Sequence, residues 1–496
     1  MNGGSSAGGR ASSAGPVSLP MPKFAVAART ALSDTGLRRD LRAAAATLRQ
    51  RREAAAGELG DWQELREAGR AVRDETLLNL DGHLERLEKS VTEAGGAVHW
   101  AADAAEAARL VTGLVRATGH GEVVTAAAPA AREIGLHEAL TEAGVTVHPT
   151  DLAELVARLG DDPRPAARAA PPAFHRDRAR LRELFARTLP DAPPGLPDDP
   201  AALAAAARAH VRRRLLSARV AVCGADFMVA DTGTLVLLES EGNGRTAVTA
   251  ADTLICVAGI DAVVPTWDDL EVLLQLLPRS ATGDRMSPAV STWTGVTPGD
   301  GPRELHLVLL DNGRTTVLAD EVGRAALRCV RCSACSHVCP VYERTGDEPY
   351  GPRGGGPIGA VLTPLVEGVD GAAHASLPYA STLCGACADV CPVKIDIPEL
   401  LVHLRGAVVE SRRRRPVPTP ELLMMRSAAW TMGEQGRYEA ALRSGARWAR
   451  LLSRGGRIRR LPGLLGKWTE ARDLPAPPVR SFRAWWRARA RRGGQR

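Results

Sequence analysis

Residues 329–340 read CVRCSACSHVCP and residues 381–392 read STLCGACADVCP. The first run spaces four cysteines at two, two and three residues and closes with proline. The second keeps that spacing but carries Ser381 where its first cysteine would stand. A C-x2-C-x2-C-x3-C-P run is the spacing that holds cubane iron–sulfur clusters. Three thiolates at short intervals wrap a loop around three corners of one cube. The fourth, turned away by its proline, reaches the neighbouring one.

Applied residue by residue, the pattern gives a first cluster on Cys329, Cys332 and Cys335, completed from afar by Cys391. Cys339 crosses to a second cluster, joined by Cys384 and Cys387. Paired CxxC motifs also bind tetrahedral zinc, but seven cysteines do not divide into two four-thiolate zinc sites. Two [4Fe–4S] clusters are therefore expected, the second with three cysteine ligands. Its fourth iron is held by the Ser381 oxygen, by water or by another residue, or is missing, giving a [3Fe–4S] cluster. An open iron could act as a Lewis acid on a substrate, but the reading taken is electron transfer alone. No catalytic residue is assigned.

The other cysteines, Cys223 and Cys256, lie in apolar runs and are read as buried small hydrophobes. Clustering of seven of nine cysteines within residues 329–391 argues for metal rather than disulfides. Nothing approaches the roughly 18 uninterrupted apolar residues of a membrane helix, and MNGGSSAGGRASSAGP at the N-terminus lacks the apolar core of a secretory signal. A cytoplasmic protein is expected, with peripheral contact at the inner membrane face left open. The net charge of +7 hides an asymmetry. Residues 401–496 carry 23 Lys and Arg against 6 Asp and Glu, leaving 41 against 51 over residues 1–400. That basic end suits an acidic partner or anionic headgroups. No nucleic-acid module accompanies it.

Outward from the cysteines, the chain divides into a flexible tail (1–30), an α/β domain preceded by helices (31–320), a two-cluster ferredoxin-type domain (322–402) and a basic helical segment (403–496). Residues 35–95 have helical periodicity, with DWQE from Asp61 resembling a capping box. Strands and helices then alternate: AVHWA, ADAAEAARLVTGLVRA, EVVTA, IGLHEALTEAG and VTVHP. This is the rhythm of a parallel sheet. DDPRPAARAAPPAFH (161–175) interrupts it. A strand-dense block with turn signals follows, including ARVAVCGADF, ADTGTLVLLES, EGNGR, DTLICVAGI and ELHLVLLDNGR. The glycines of YGPRGGGPIGAVLTPL, within the 44 residues between Cys339 and Cys384, form no nucleotide fingerprint, because neither a strand leads in nor a helix opens where one should. That loop is where a partner or the redox path would be shaped.

DTGTLVLLESEGNGR, LVLLDNGR, CVRCSACSHVCPVYERTG, GGPIGAVLTPL, LCGACADVCPVKIDIP and KWTEARDLPAPPVRSFRAWW together resemble the lactate utilisation protein B family, from about residue 22 onward. The resemblance implies an α/β domain related to sugar-isomerase and CoA-transferase-like folds, two four-iron clusters with three cysteines on the second, and two sister subunits. One sister carries cysteine-rich repeats and the other is a small lactate-utilisation-domain protein. The function implied is a non-catalytic iron–sulfur electron-transfer subunit of a complex oxidising L-lactate to pyruvate. The alternatives are an iron–sulfur subunit of another 2-hydroxyacid or glycerol-phosphate dehydrogenase, and a transferase-like enzyme with structural or sensory clusters.

Two departures stand out. Thr125-Ala126-Ala127-Ala128 replaces an expected Lys-Ser-Lys stretch, and ARAAPPAFH keeps only His175 of a histidine-containing segment. Asp226, Asp231, Glu241, Asn243, Arg245, Asp311, Asn312 and Arg314 are the polar residues left in the α/β domain. An arginine among them could clamp a carboxylate, but NG and DTG are turn formers first, and loop architecture is the reading taken. Trp485 and Trp486 in the basic tail are expected to dock a partner.

Overall fold

The computed structural model describes residues 21–126, 129–160, 178–351, 353–463, 466–470, 472–478 and 480–493. The chain divides into two compact units, Met1–Val409 and Glu410–Arg496. Residues 1–20, the proline-rich stretch 161–175 with His175, and Ala127 and Ala128 lie outside the described residues; of the tail expected over 1–30, the end is not tail, because Phe24–Ser33 is helical.

In the first unit the strands in chain order are β1 (Ala97–Ala101), β2 (Glu122–Thr125), β3 (Thr146–Pro149), β4 (Val220–Cys223), β5 (Phe227–Val229), β6 (Thr234–Glu239), β7 (Thr253–Gly259), β8 (Val263–Val264), β9 (Ala289–Trp293) and β10 (Glu304–Leu310). Six of them form an entirely parallel sheet in the order β1-β10-β7-β4-β2-β3. Central strands of such a sheet are covered on both faces and read as continuous apolar runs. β7, TLICVAG, is buried at every position. Cys223 and Cys256 are paired neighbours across β4 and β7, both buried, and act as the small hydrophobes expected. A second, mixed sheet runs β8-β5-β6-β9.

Four helices precede the sheet: α1 (Phe24–Ser33), α2 (Thr35–Gly57), α3 (Trp62–Leu78) and α4 (Leu80–Glu93). Between β1 and β2, α5 (Ala104–Ala117) starts where the Asp103 carboxylate accepts the Glu106 amide at 2.8 Å. Two local readings change. Asp61 precedes α3 but its side chain caps nothing, so the DWQE box does not form. EGNGR is the start of a helix, Asn243–Ala250, rather than a turn within strands. There the Glu239 carboxylate accepts the amides of Gly244 and Arg245 at 2.6 and 2.7 Å, which offsets the unpaired donors of a helix N-terminus.

The cysteine region has few long elements of its own and shares a core with α2, α3 and the helix Trp267–Ala281. Leu41, Trp62, Leu270 and Leu273 lie in one apolar cluster with Tyr342, Tyr350, Leu400 and Leu401. The glycine-rich stretch serves this packing. A 12-residue helix, Gly356–Glu367, opens in it, with no strand leading in. Gly356 has φ +68°, and a Cβ there would stand 2.3 Å from Ser336 Oγ.

The second unit, described by itself, contains the helices Pro420–Met432, Gln435–Leu451 and Phe482–Gly493 and a two-stranded pair, Arg457–Ile458 with Leu474–Pro475. Neither of the two longer helices has a buried residue. Trp430, Trp448, Trp468, Phe482, Trp485 and Trp486 are all exposed. Among the described residues no helix is long and apolar enough to cross a membrane.

At Gly359 an added Cβ would lie 1.8 Å from the Gly354 carbonyl oxygen, a backbone atom that cannot swing aside. Gly359→Ala is therefore expected to destabilise the first unit by about 1–3 kcal/mol, as overpacking does. A lowered urea midpoint without a change in slope checks this; an unchanged midpoint would contradict the packing described.

Candidate metal centre

The two cysteine loops are built alike. Each follows a short 3-10 segment, Gly323–Arg328 before Cys329 and His374–Tyr379 before Ser381. Each then enters a single turn of helix, Ala334–His337 or Ala386–Val390. Tight loops of this kind turn amides inward, and the amides meet sulfur. The Arg331 amide donates to Cys329 Sγ at 3.4 Å and the Tyr342 amide to Cys339 Sγ at 3.5 Å. Further backbone amides reach Cys332 (from Ala334), Cys335 (from Ile358), Cys387 (from Ala388) and Cys391 (from Val393 and Ile395). Ile358 lies in the first turn of the helix that the glycine-rich stretch packs into place.

The thiols fall into two groups by the charges they feel. Cys329, Cys332 and Cys335 each sense Cys391, and Cys335 also senses Cys329 and Cys332. Cys339 senses Cys384, and Cys387 senses both. Burial, with the neighbouring sulfurs adding to it, pushes Cys329 up to about 11 and Cys387 to about 12, and burial alone raises Cys391. So many thiols within one another's field resist ionising unless cations stand among them, and metal binding would release their protons. An all-sulfur donor set selects soft or thiophilic centres. A zinc ion would draw four sulfurs to about 2.3 Å from one point. Among the described residues no group of three or more His, Cys, Asp or Glu is placed to hold a single ion. The all-cysteine donor set itself suits an iron–sulfur cluster, whose irons are held by thiolates.

Arginines from distant parts of the chain surround the first group. Arg66 of α3 donates to the Cys391 carbonyl from Nε (3.0 Å) and Nη2 (2.7 Å). Arg52 of α2 acts on Cys332 and Cys391, Arg328 on Cys391, and Arg73 and Arg331 on Cys329. Burial lowers the pKa of Arg52, Arg66 and Arg73. Cys384 of the second group is exposed, and the charge near Cys339 is the carboxylate of Glu343. Sequence reasoning missed these arginines because the only local sign was an arginine at heptad distance from another, Arg66 and Arg73, on a helix otherwise rich in charge.

Comparison with known proteins bears on what this centre belongs to. Residues 84–310 match the LUD domain, 325–395 a 4Fe-4S dicluster domain and 405–491 the lactate utilisation protein B C-terminal family. Lactate utilization protein B of Oceanobacillus iheyensis is 38% identical over 464 residues, covering 92% of this chain and 94% of that protein. The protein of that name in Bacillus subtilis is 37% identical, over 88% and 90% of the two chains. The chain belongs to the lactate utilisation protein B family. A solved DUF162 family structure from Deinococcus radiodurans, at 16% identity and a TM-score of 0.25 over 47% of this chain and 98% of that one, is too weak a likeness to add to the fold.

The LUD match spans all ten strands of the first unit, so the carboxyl edge of its parallel sheet can be located. Open parallel sheets bind ligands beyond the carboxyl ends of their strands. At that edge this chain places Glu133, Asp261 and Arg314. The Arg314 guanidinium takes both Glu133 oxygens, from Nη1 and Nη2 at 3.0 and 2.9 Å, and also pairs with Asp261. So an arginine does clamp a carboxylate, but one of the chain's own. Arg353 joins Glu133 to Glu367, and Arg331 lies 4.0 Å from Glu133 and 3.9 Å from Asp261. Asn312 donates to Glu133 at 2.9 Å. Beside this group lies a cavity of about 30 Å³ bordered by Arg73, Asp226, Gly259, Asp261, Cys329 and Arg331, room for a water molecule.

The other polar candidates do structural work. Asp226 accepts the Leu238 amide at 2.8 Å, Asp231 pairs with Arg86 at 2.6 Å, and Asn243 donates to Glu241 at 2.8 Å. Arg245 donates to Ser291 and Val290, and Asp311 accepts the Thr315 amide. These bonds tie the turns of the α/β part to its strands and helices.

Burial alone would raise Glu133 and Asp261, but Arg314, with Arg353 and Arg331 beside Glu133 and Arg331 and Arg73 beside Asp261, holds both carboxyls down at about 2. Their ordinary values are 4.5 and 3.8. Folded values below unfolded ones mean stability that is present above those ordinary values and lost as pH falls toward about 2. Arg314→Leu is expected to destabilise by about 3–5 kcal/mol at pH 7, because two buried carboxylates lose their main partner. The difference from the parent should narrow as pH drops through that window. Denaturant melts at pH 7 and at acid pH check both halves, and a pH-independent difference would contradict the electrostatic account.

Proposed function

We propose that the seven cysteines hold two [4Fe–4S] clusters, the first on Cys329, Cys332, Cys335 and Cys391 and the second on Cys339, Cys384 and Cys387 with a ligand that is not cysteine. The observation that carries this is the division of the thiols into two mutually interacting groups with Cys339 and Cys391 exchanged between the runs. The clusters, when bound, supply one-electron transfer. The chain's own residues set the conditions. Inward amides and the arginines around the first group favour negative charge on sulfur and exclude water from Cys335 and Cys391. Exposed Cys384 marks the face on which a redox partner docks.

The chain functions on this reading as a non-catalytic electron-transfer subunit of a complex that oxidises L-lactate to pyruvate. Support comes from its relatives, which are named lactate utilization protein B. The match of residues 325–395 to a 4Fe-4S dicluster domain supports the electron-transfer part of it too. A deletion strain with no second lactate dehydrogenase is expected to lose growth on L-lactate while still growing on pyruvate. Normal growth on L-lactate would sink the assignment.

The partners are two sister lactate-utilisation subunits, docked in part on the C-terminal unit. Its exposed aromatics carry arginines over their faces, Arg437 at 4.3 Å from the Trp430 ring and Arg489 at 5.5 Å from Trp485. Such pairs are enriched where proteins meet. Removal of residues 471–496 is expected to weaken recovery of the sisters in a pull-down at least tenfold. Undiminished recovery would show that docking lies elsewhere, and capture by anionic vesicles instead would point to a membrane face.

A further inference from the structure

We infer that Ser381 is the fourth protein ligand of the second cluster, through Oγ; this rests on the two-cluster reading above. The inference comes from matching the two loops position by position. Cys329 stands at the head of the first and Ser381 at the head of the second. Two residues on, Arg331 has φ +56° and Leu383 φ +54°. Four residues on, Ser333 has φ +61° and Gly385 φ +87°. The amide two residues on donates to the head atom in both loops: Arg331 N to Cys329 Sγ at 3.4 Å, and Leu383 N to Ser381 Oγ at 3.1 Å. The hydroxyl oxygen is thus presented by the same backbone geometry as a ligand thiol.

That geometry is not one a loop drifts into. A non-glycine residue in the left-handed region is strained by about 1–3 kcal/mol and persists only where its surroundings demand it. Glycine makes the conformation easy at position 385; at Leu383 the strain remains. A loop that had ceased to reach the metal at its head would gain by relaxing Leu383, yet the turn is kept. The head residue is also fixed from behind. Arg405 donates from Nη2 to the Ser381 carbonyl at 3.1 Å and from Nε to the Pro378 carbonyl at 2.9 Å. Cys384 and Cys387 follow Ser381 at the same intervals at which Cys332 and Cys335 follow Cys329.

The chemistry balances simply. As the Fe–O bond forms, the Ser381 hydroxyl gives its proton to solvent and no electron moves. The Leu383 amide already pointing at Oγ favours the charged oxygen over the neutral hydroxyl. A hard alkoxide stabilises ferric iron more than a thiolate does, so the second cluster should be the harder of the two to reduce and the more easily stripped of one iron.

The test is made on the full-length chain, purified anaerobically with 57Fe, as the parent, Ser381→Ala and Ser381→Cys. Iron and acid-labile sulfide, Mössbauer and EPR spectra and a redox titration are read on each. The parent should hold about eight irons, one with a Mössbauer component distinct from the thiolate-bound sites. Ser381→Ala should lose roughly one iron in eight, with a three-iron EPR signal in the oxidised protein, or lose the distinct component. Ser381→Cys should retain all the iron, lose the distinct component and shift the second cluster to higher potential. It also shows that the site tolerates substitution. Overturning results are a Ser381→Ala protein with unchanged iron and an unchanged Mössbauer spectrum, or a parent already lacking that iron. A parent without iron and sulfide would instead overturn the two-cluster reading beneath, with this inference falling as a consequence.

Discussion

The interaction on which the cysteine region depends is made by α3. Arg66 holds the carbonyl of Cys391, and Arg73, on the same helix face two turns later, holds the carbonyls of Leu327 and Val263 at 3.1 and 3.0 Å. The loops that carry the thiols have only single helical turns and 3-10 segments of their own, so their carbonyls have few regular partners. A charged donor to such a carbonyl contributes about 1.5–3 kcal/mol, more than an ordinary bond. The same groups bring positive charge to where thiolates would otherwise repel each other. One helix therefore both holds the loops and makes their chemistry tolerable. Arg73 is itself fully buried, and it can be so because Asp261 lies beside it.

What was legible in the sequence is what local physics decides. β1, α5, β2 and β3 follow from apolar periodicity, and the cysteine spacing dictates how each loop must curl. DWQE failed because a side chain that can cap need not do so: Asp61 has φ −102° and ψ 20°, away from the extended backbone from which Asp103 and Asp151 cap their helices. EGNGR looked like a turn because asparagine and glycine favour turns. What makes it a helix start is Glu239, an acceptor that only the fold delivers to those amides.

What was not legible joins residues far apart. Arg66 and Cys391 are 325 residues apart, and Arg314 and Glu133 are 181 apart. No window of sequence contains either pair, and an arginine in an arginine-rich chain gives no sign of being buried. Arg314 was noticed, but as part of a DNGR turn. Asn312, with φ +44°, does make that turn, and the turn is what carries the following arginine inward between two acids.

That inward arginine is held by the LUD part's own acids. At the carboxyl edge of a parallel sheet an anionic ligand is ordinarily met by a cation from the protein. Here the cation, Arg314, is saturated by Glu133 and Asp261, both buried. Exchanging such a partner for an external acid would strip two buried carboxylates of their main partner, a loss larger than a small ligand returns. The same ionic group extends through Arg331 into the Cys329 loop, where the residue that reaches back to Glu133 and Asp261 is also the one whose amide faces Cys329 Sγ. The sheet edge and the metal-binding loop are thus fixed by one set of charges, and a change at either is felt at the other.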